Sequence, residues 1–198
     1  MKIETLSVGP MENCCYLVTS KDDALLIDPA WDIPLIEQAL AGKNLKGVFF
    51  THGHFDHVKF VQPLLEKYHL KAYLEEKDFS LSGLPMSVLQ TYAGDQQFSI
   101  PPFDVRVLAT PGHTAGSVCI LIGNALFTGD TLFAGACGRV DLPSSNPRAM
   151  RQSLRRIAGL PDDTQIFTGH SYNGTNQTTV GYEKQYNPFV RQALRGDF

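Results

Sequence analysis

The chain has no unbroken apolar run of the roughly eighteen residues that a membrane-spanning helix requires, although 43% of its 198 residues are hydrophobic. Its amino terminus, MKIETLSVGP, sets charged Lys2 and Glu4 into a strand-like alternation where a secretory signal would be continuously apolar. A cytoplasmic chain with no membrane partner is expected. No block of about five or six like charges occurs, and a formal net charge of -3 supplies no field for a phosphodiester backbone. Nucleic acid is therefore not an expected partner. The C-x-x-C spacing of a structural zinc site is also missing, and the four cysteines, Cys14, Cys15, Cys119 and Cys137, read as reduced, mostly buried thiols. Internal repeats, low-complexity tracts and linkers are absent as well, so residues 1–198 are expected to form one domain around one core.

Histidine is scarce and unevenly spread. Of six in the chain, three lie in FFTHGHFDHVKF, residues 49–60, where His52, His54, Asp56 and His57 fall within six positions. Around this cluster the sequence alternates short apolar runs with Gly, Pro and Asp. Strand-like runs cover 2–8, 15–20, 24–28, 47–51, 71–75, 104–110, 117–123, 125–129 and 165–169. Helical spacing marks the segment from Ile33 to Gly42. It also marks 57–69, where Pro63 implies a later start or a kink, and 146–160, with Asn146 as cap and Pro147 in the first turn. Two further short helices are expected in TVGYEKQY and PFVRQALR. Hairpin-like strands followed by helices point to a layered α/β or α+β fold, two sheets with helices outside.

The chemistry-bearing residues share one position in this pattern. His52, His113, Asp130 and His170 each follow a strand-like run, where a rigid element hands over to a loop. Imidazole and carboxylate are ligands that Zn²⁺, Fe²⁺ and Mn²⁺ accept. The ligand count gives His52, His54 and His113 to one metal and Asp56, His57 and His170 to a second, with Asp130 between them as the bridging anion. Two divalent metal ions are expected, zinc first, with iron or manganese as alternatives. His69, in a loop after an amphipathic helix, reads as a solvated surface residue. Asp28, ending LLIDP, reads either as an acceptor that orients a metal-bound histidine or as a strand-ending turn. Thr51 and Thr114 have the same two readings, supporting a ligand or closing a turn.

Together, THGHFDH, PGHTAGS, FTGD and TGH, in this order, resemble the metallo-β-lactamase superfamily. The resemblance runs from ETLSVGPMENCCYLV through LLIDP to GHSYNG. It implies a four-layer αβ/βα sandwich, two mixed β-sheets with helices outside, carrying a dinuclear metal site at one edge. FTGDTLFAGACGR further resembles the hydroxyacylglutathione hydrolases, or glyoxalase II enzymes, and CGRVDLP their small single-domain bacterial relatives. That resemblance implies substrate contacts at Arg139 and Tyr172; Arg can clamp a carboxylate and a phenol can donate to a carbonyl. Three positions depart from the pattern: Asp141 stands where a second aromatic contact is expected, and Val58-Lys59 replace two small residues.

The expected function is a metal-dependent hydrolase cleaving a small-molecule thioester such as an S-acylglutathione, by attack of a metal-bridging hydroxide. Asp56 would be both metal ligand and catalytic residue, orienting that hydroxide. The alternative is a persulfide dioxygenase-like oxidoreductase, with one iron on His113, Asp130 and His170. A third reading, a noncatalytic metal-binding accessory protein, ranks last because nothing in the ligand set looks degraded.

Overall fold

The structure is a computed structural model describing residues 1–196, and of Asn173 the backbone alone. Strands β1 (Lys2–Val8), β2 (Asn13–Ser20) and β3 (Asp23–Ile27) form an antiparallel meander. The chain continues through helix α1 (Ile33–Ala39), β4 (Asn44–Phe49), helices α2 (Phe55–Val58) and α3 (Gln62–Lys67), β5 (Ala72–Glu75), the single turn α4 (Phe79–Ser82) and β6 (Leu89–Tyr92). From β3 to β6 the pairing is parallel, completing a six-stranded mixed sheet in sequence order.

The second half begins with β7 (Gln96–Ile100), β8 (Phe103–Ala109), β9 (Val118–Ile122) and β10 (Ala125–Gly129), then a small ribbon, β11 (Leu132–Phe133) and β12 (Ala136–Cys137). Helix α5 (Pro147–Ala158), β13 (Gln165–Thr168), β14 (Gln177–Thr179), α6 (Val180–Tyr186) and α7 (Pro188–Arg195) follow. The order β14-β13-β10-β9-β8-β7 makes a second mixed sheet, in which only β10 and β13 run parallel.

Side-chain alternation sets the layering, because successive residues of a strand point to opposite faces. In β2, Cys14, Tyr16 and Val18 pack inward against Val105, Ile120, Phe127 and Phe167 of the second sheet. Cys15 and Leu17 face outward, onto Ile36, Leu40, Val58 and Leu64 of the helices outside the first sheet. The outer face of the second sheet is covered in turn by Met150, Leu154, Ile157, Val190 and Ala193. This is the expected helix–sheet–sheet–helix sandwich. Among the described residues no helix is long and apolar enough to cross a membrane. All four cysteines are free, three of them buried and Cys137 half-buried.

Of the two alternatives that Pro63 leaves open the structure takes the later start, and three strands of the two mixed sheets lie outside the expected runs. The amphipathic segment 57–69 is two helices: α2 ends at Val58, Lys59 is extended, Phe60 is left-handed at φ 67°, and Pro63 lies in the first turn of α3. A proline there costs nothing, because its missing N–H would have no intrahelical partner. Strands β6, β7 and β14 carry no strong apolar run. β7, QQFSI, is an edge strand with largely exposed side chains, so the hydrophobic alternation that marks β8 is weak in it. Elsewhere the boundaries lie within a few residues, and Asn146 caps α5 by accepting from Ala149 N.

Candidate metal centre

The candidate residues gather where the two sheets meet at one edge. An isolated antiparallel bridge pairs Asn13, opening β2, with His170, just past β13. His52 and His54 follow β4, Asp56 and His57 lie in α2, His113 follows β8 and Asp130 follows β10. All are buried except His54 and Asp130, which are half-buried.

Their ligand atoms form two triads. Those of His52, His54 and His113 lie within 4.8 Å of one another, as do those of Asp56, His57 and His170. Asp130 joins them: it forms a further such cluster with His52 and His57, and its Oδ2 is 3.5 Å from His113 Nε2 and 3.4 Å from His170 Nε2. This is the grouping that the ligand count anticipates.

Each of four rings is anchored on one nitrogen and turns the other inward. His113 Nδ1 donates to the Arg139 carbonyl at 2.9 Å, and His170 Nδ1 to that of Met11 at 2.8 Å. His57 Nδ1 meets Asp28 Oδ2 at 3.0 Å, and His52 Nδ1 meets Thr51 Oγ1 at 3.1 Å. Inside, ring nitrogen faces ring nitrogen: His54 Nδ1 is 2.9 Å from His113 Nε2, and His57 Nε2 is 3.3 Å from His170 Nε2. His52 Nε2 and Asp130 Oδ1 are buried without a hydrogen-bond partner. Buried polar atoms are rarely left so. Converging lone pairs and orphaned acceptors, with the outer nitrogens of His52, His57, His113 and His170 secured, fit a cation between them.

The two triads differ electrostatically. Burial, then the nearby charges of other imidazoles, pushes His52 well down and His54 down, so both favour the neutral ring that binds metal. In the other triad burial is overcome. Asp130 and Asp28 hold His57 well above the ordinary range, and hydrogen bonds to Asp130 and Asp56 raise His170 to about 9. Burial works against ionisation of Asp56 and Asp130 too, but contacts with His170 and His57 pull both carboxyls down.

Asp28 leaves β3 in a left-handed conformation, φ 51°, and accepts from Thr51 N at 2.7 Å and Thr51 Oγ1 at 2.6 Å as well as from His57. Of its two readings, the contact with a candidate ligand is present. Tyr172 lies at the rim, 45% exposed, stacked on His170 at 5.4 Å between centroids and edge-on to Phe133. The Arg139 side chain is exposed and gripped bidentately by Asp141 at 2.7 and 2.9 Å; its carbonyl, not its guanidinium, reaches the cluster. Exposed His69 lies outside the clusters.

Three contributors carry no sequence signal of their own. Asn13 Nδ2 donates to Asp56 Oδ2 at 2.9 Å, Trp31 Nε1 donates to the Asp56 carbonyl at 2.9 Å, and buried Asp78 holds two ligand-bearing loops. Beside Trp31, Lys59 Nζ sits 4.8 Å from the indole and 5.0 Å from the Phe60 ring, which gives one departing position a definite contact.

Comparison with known proteins follows the same lines. A family model described as the Metallo-beta-lactamase superfamily matches residues 8–170. A hydroxyacylglutathione hydrolase of Tolumonas auensis is 38% identical over 179 residues, covering 89% of this chain and 68% of that protein. A probable polyketide biosynthesis zinc-dependent hydrolase, BaeB, of Bacillus velezensis is 34% identical over 165 residues, covering 81% and 73%. Among solved structures, ETHE1 from Myxococcus xanthus superposes with a TM-score of 0.85 at 28% identity, covering 100% of this chain and 92% of that one.

Proposed function

From the premise that the chain belongs to the metallo-β-lactamase superfamily, we propose that it is a metal-dependent hydrolase cleaving a thioester such as an S-acylglutathione. The carrying observation is the pair of triads joined by Asp130, with His52 Nε2 and Asp130 Oδ1 unpartnered between them. His52, His54 and His113 would hold one divalent ion, Asp56, His57 and His170 another, and Asp130 would touch both. Zinc is the favoured ion because histidine nitrogen and aspartate oxygen suit it, and BaeB is named as zinc-dependent. Ions bound there would supply Lewis acidity, polarising the thioester carbonyl and bringing the pKa of water to about 7.

The chain's own residues complete the chemistry. Asp56 stays ionised, with Asn13 donating to one of its oxygens, and orients the O–H of the attacking water. Tyr172, its phenol raised by burial and then by Asp130 and Asp56, keeps its proton and donates to the substrate at the rim. A leaving thiolate whose acid has a pKa of about 8.5 departs without a general acid, which suits a centre whose carboxylates are all occupied as ligands.

A second reading has one observation in its favour. Asp130 Oδ2 is within 3.5 Å of both His113 and His170, a two-histidine, one-carboxylate set suited to a single iron. It leaves His52, His54, Asp56 and His57 without a role. Metal analysis combined with a panel of glutathione, coenzyme A and pantetheine thioesters separates the readings. About two metals per chain with release of free thiol is expected. One iron per chain with O₂ consumption on glutathione persulfide would overturn the hydrolase.

A further inference from the structure

We propose that Asp78 is a positioning residue that fixes the distance between the two loops carrying His52, His54 and His113, and thereby the geometry of that half of the centre. The inference rests on the metal reading above.

Asp78 ends a single 3-10 turn after β5 and is 1% exposed. Its Oδ2 accepts from Gly53 N at 2.8 Å and from Thr114 Oγ1 at 2.7 Å; its Oδ1 accepts from Gly116 N at 2.8 Å. Gly53 lies between His52 and His54, while Thr114 follows His113. One carboxylate thus spans both loops at the point where His54 Nδ1 and His113 Nε2 come within 2.9 Å. Among the described residues Asp78 has no Lys, Arg or His ion-pair partner, so its charge is solvated by two backbone amides and a hydroxyl. Burying such a charge is costly unless something repays it.

Close approach is built into the sequence. A Cβ at Gly53 would lie 2.6 Å from the Asp78 carbonyl oxygen, and one at Gly116 would lie 2.7 Å from Asp78 Cγ. Gly53 of THGHFDH and Gly116 of PGHTAGS are thereby explained as the surfaces against which Asp78 fits. Thr114 is held a second time, its N–H donating to Ser117 Oγ at 3.0 Å. Asp78 touches no imidazole. It differs in this from Asp28, which contacts His57 directly, so its influence must pass through backbone.

The test is zinc titration of the stripped full-length protein, followed by ring-nitrogen NMR of the histidines, for wild type, Asp78→Asn and Asp78→Ala. In the variants His52, His54 and His113 should respond only at about 10–100-fold higher free zinc, while His57 and His170 respond as in wild type. Thr114→Val, which removes one of the three bonds and keeps the side-chain shape, should weaken the same half to a lesser degree, and it reads the proposal if the Asp78 variants do not fold. Equal weakening of all five histidines, or no weakening, overturns the positioning role while leaving the metal reading intact. A wild-type chain that takes up no zinc overturns both.

Discussion

The two triads of the centre are assembled from similar side chains but are prepared for a cation in different ways. His52, His54 and His113 form an all-imidazole set in which burial favours neutral rings for His52 and His54. Asp56, His57 and His170 form a set of opposed charges, the carboxylate lowered and both imidazoles raised by their neighbours. The first presents lone pairs directly. The second must surrender protons before a metal can enter, because ligands bind in their deprotonated forms. The largest effect should therefore come from Asp130, the residue both sets share. Asp130→Ala is expected to remove activity and at least one metal, beyond the about 10–100-fold loss typical when an outer contact is changed. Retained activity with full metal content would remove Asp130 from the bridging position.

Asp28→Asn attacks the charged set directly and the all-imidazole set only through Thr51 Oγ1, which meets His52 Nδ1. Asp28 accepts from His57 Nδ1, Thr51 N and Thr51 Oγ1, and an amide cannot replace all three bonds. Zinc affinity at the Asp56–His57–His170 half should fall about 10–100-fold, with the all-imidazole half weakened less. Loss from the other half first, in the same NMR titration, would show that the halves are not held independently.

Proton linkage sharpens the contrast at smaller cost. His170, raised from the ordinary histidine range to about 9, contributes stability that is fully present below about pH 6.5 and lost as pH rises through about 9. Asp56 and Asp130 act in the opposite sense: their contribution is present above about pH 4 and lost as pH falls further. The Tm of stripped protein should accordingly decline between pH 6.5 and 9. Over the same interval zinc affinity of the charged half should rise by about tenfold per pH unit for each displaced proton. A flat affinity there, or an equal slope at both halves, would contradict the electrostatic distinction.

What the sequence discloses of this centre follows from the same physics. His52, His113, Asp130 and His170 are legible because each ends an apolar run, and a polar residue at a strand end is where a buried sheet reaches a loop. Asp78 is not, since LEEKDFSLS reads as a charged, solvated turn and nothing local signals that its carboxylate turns inward to distant amides. Asn13 is hidden for a related reason: its contact with Asp56 spans 43 positions. The layers were legible through strand alternation and the caps of α5, whereas β7 was not, because an edge strand buries too little to need an apolar pattern. The break after Val58 was signalled by Pro63, but its exact place depends on Phe60 adopting a left-handed backbone.

The smallest expected effect concerns the rim. Arg139 is more than half exposed and its fork is filled by Asp141, so a substrate carboxylate must compete with that pair. Solvent screens so exposed an ion pair, and its net contribution is small. Arg139→Ala should therefore raise KM for a carboxylate-bearing thioester by about 2–5-fold with little change in kcat. Asp141→Ala should act in the opposite direction, lowering that KM by freeing the guanidinium, and should leave an uncharged thioester unaffected. Kinetics of both variants on the two substrates read side chain and backbone separately, since the Arg139 carbonyl that accepts from His113 remains in either protein. If neither variant shifts KM, Arg139 serves the all-imidazole triad through its carbonyl alone, and the carboxylate of the substrate is bound elsewhere.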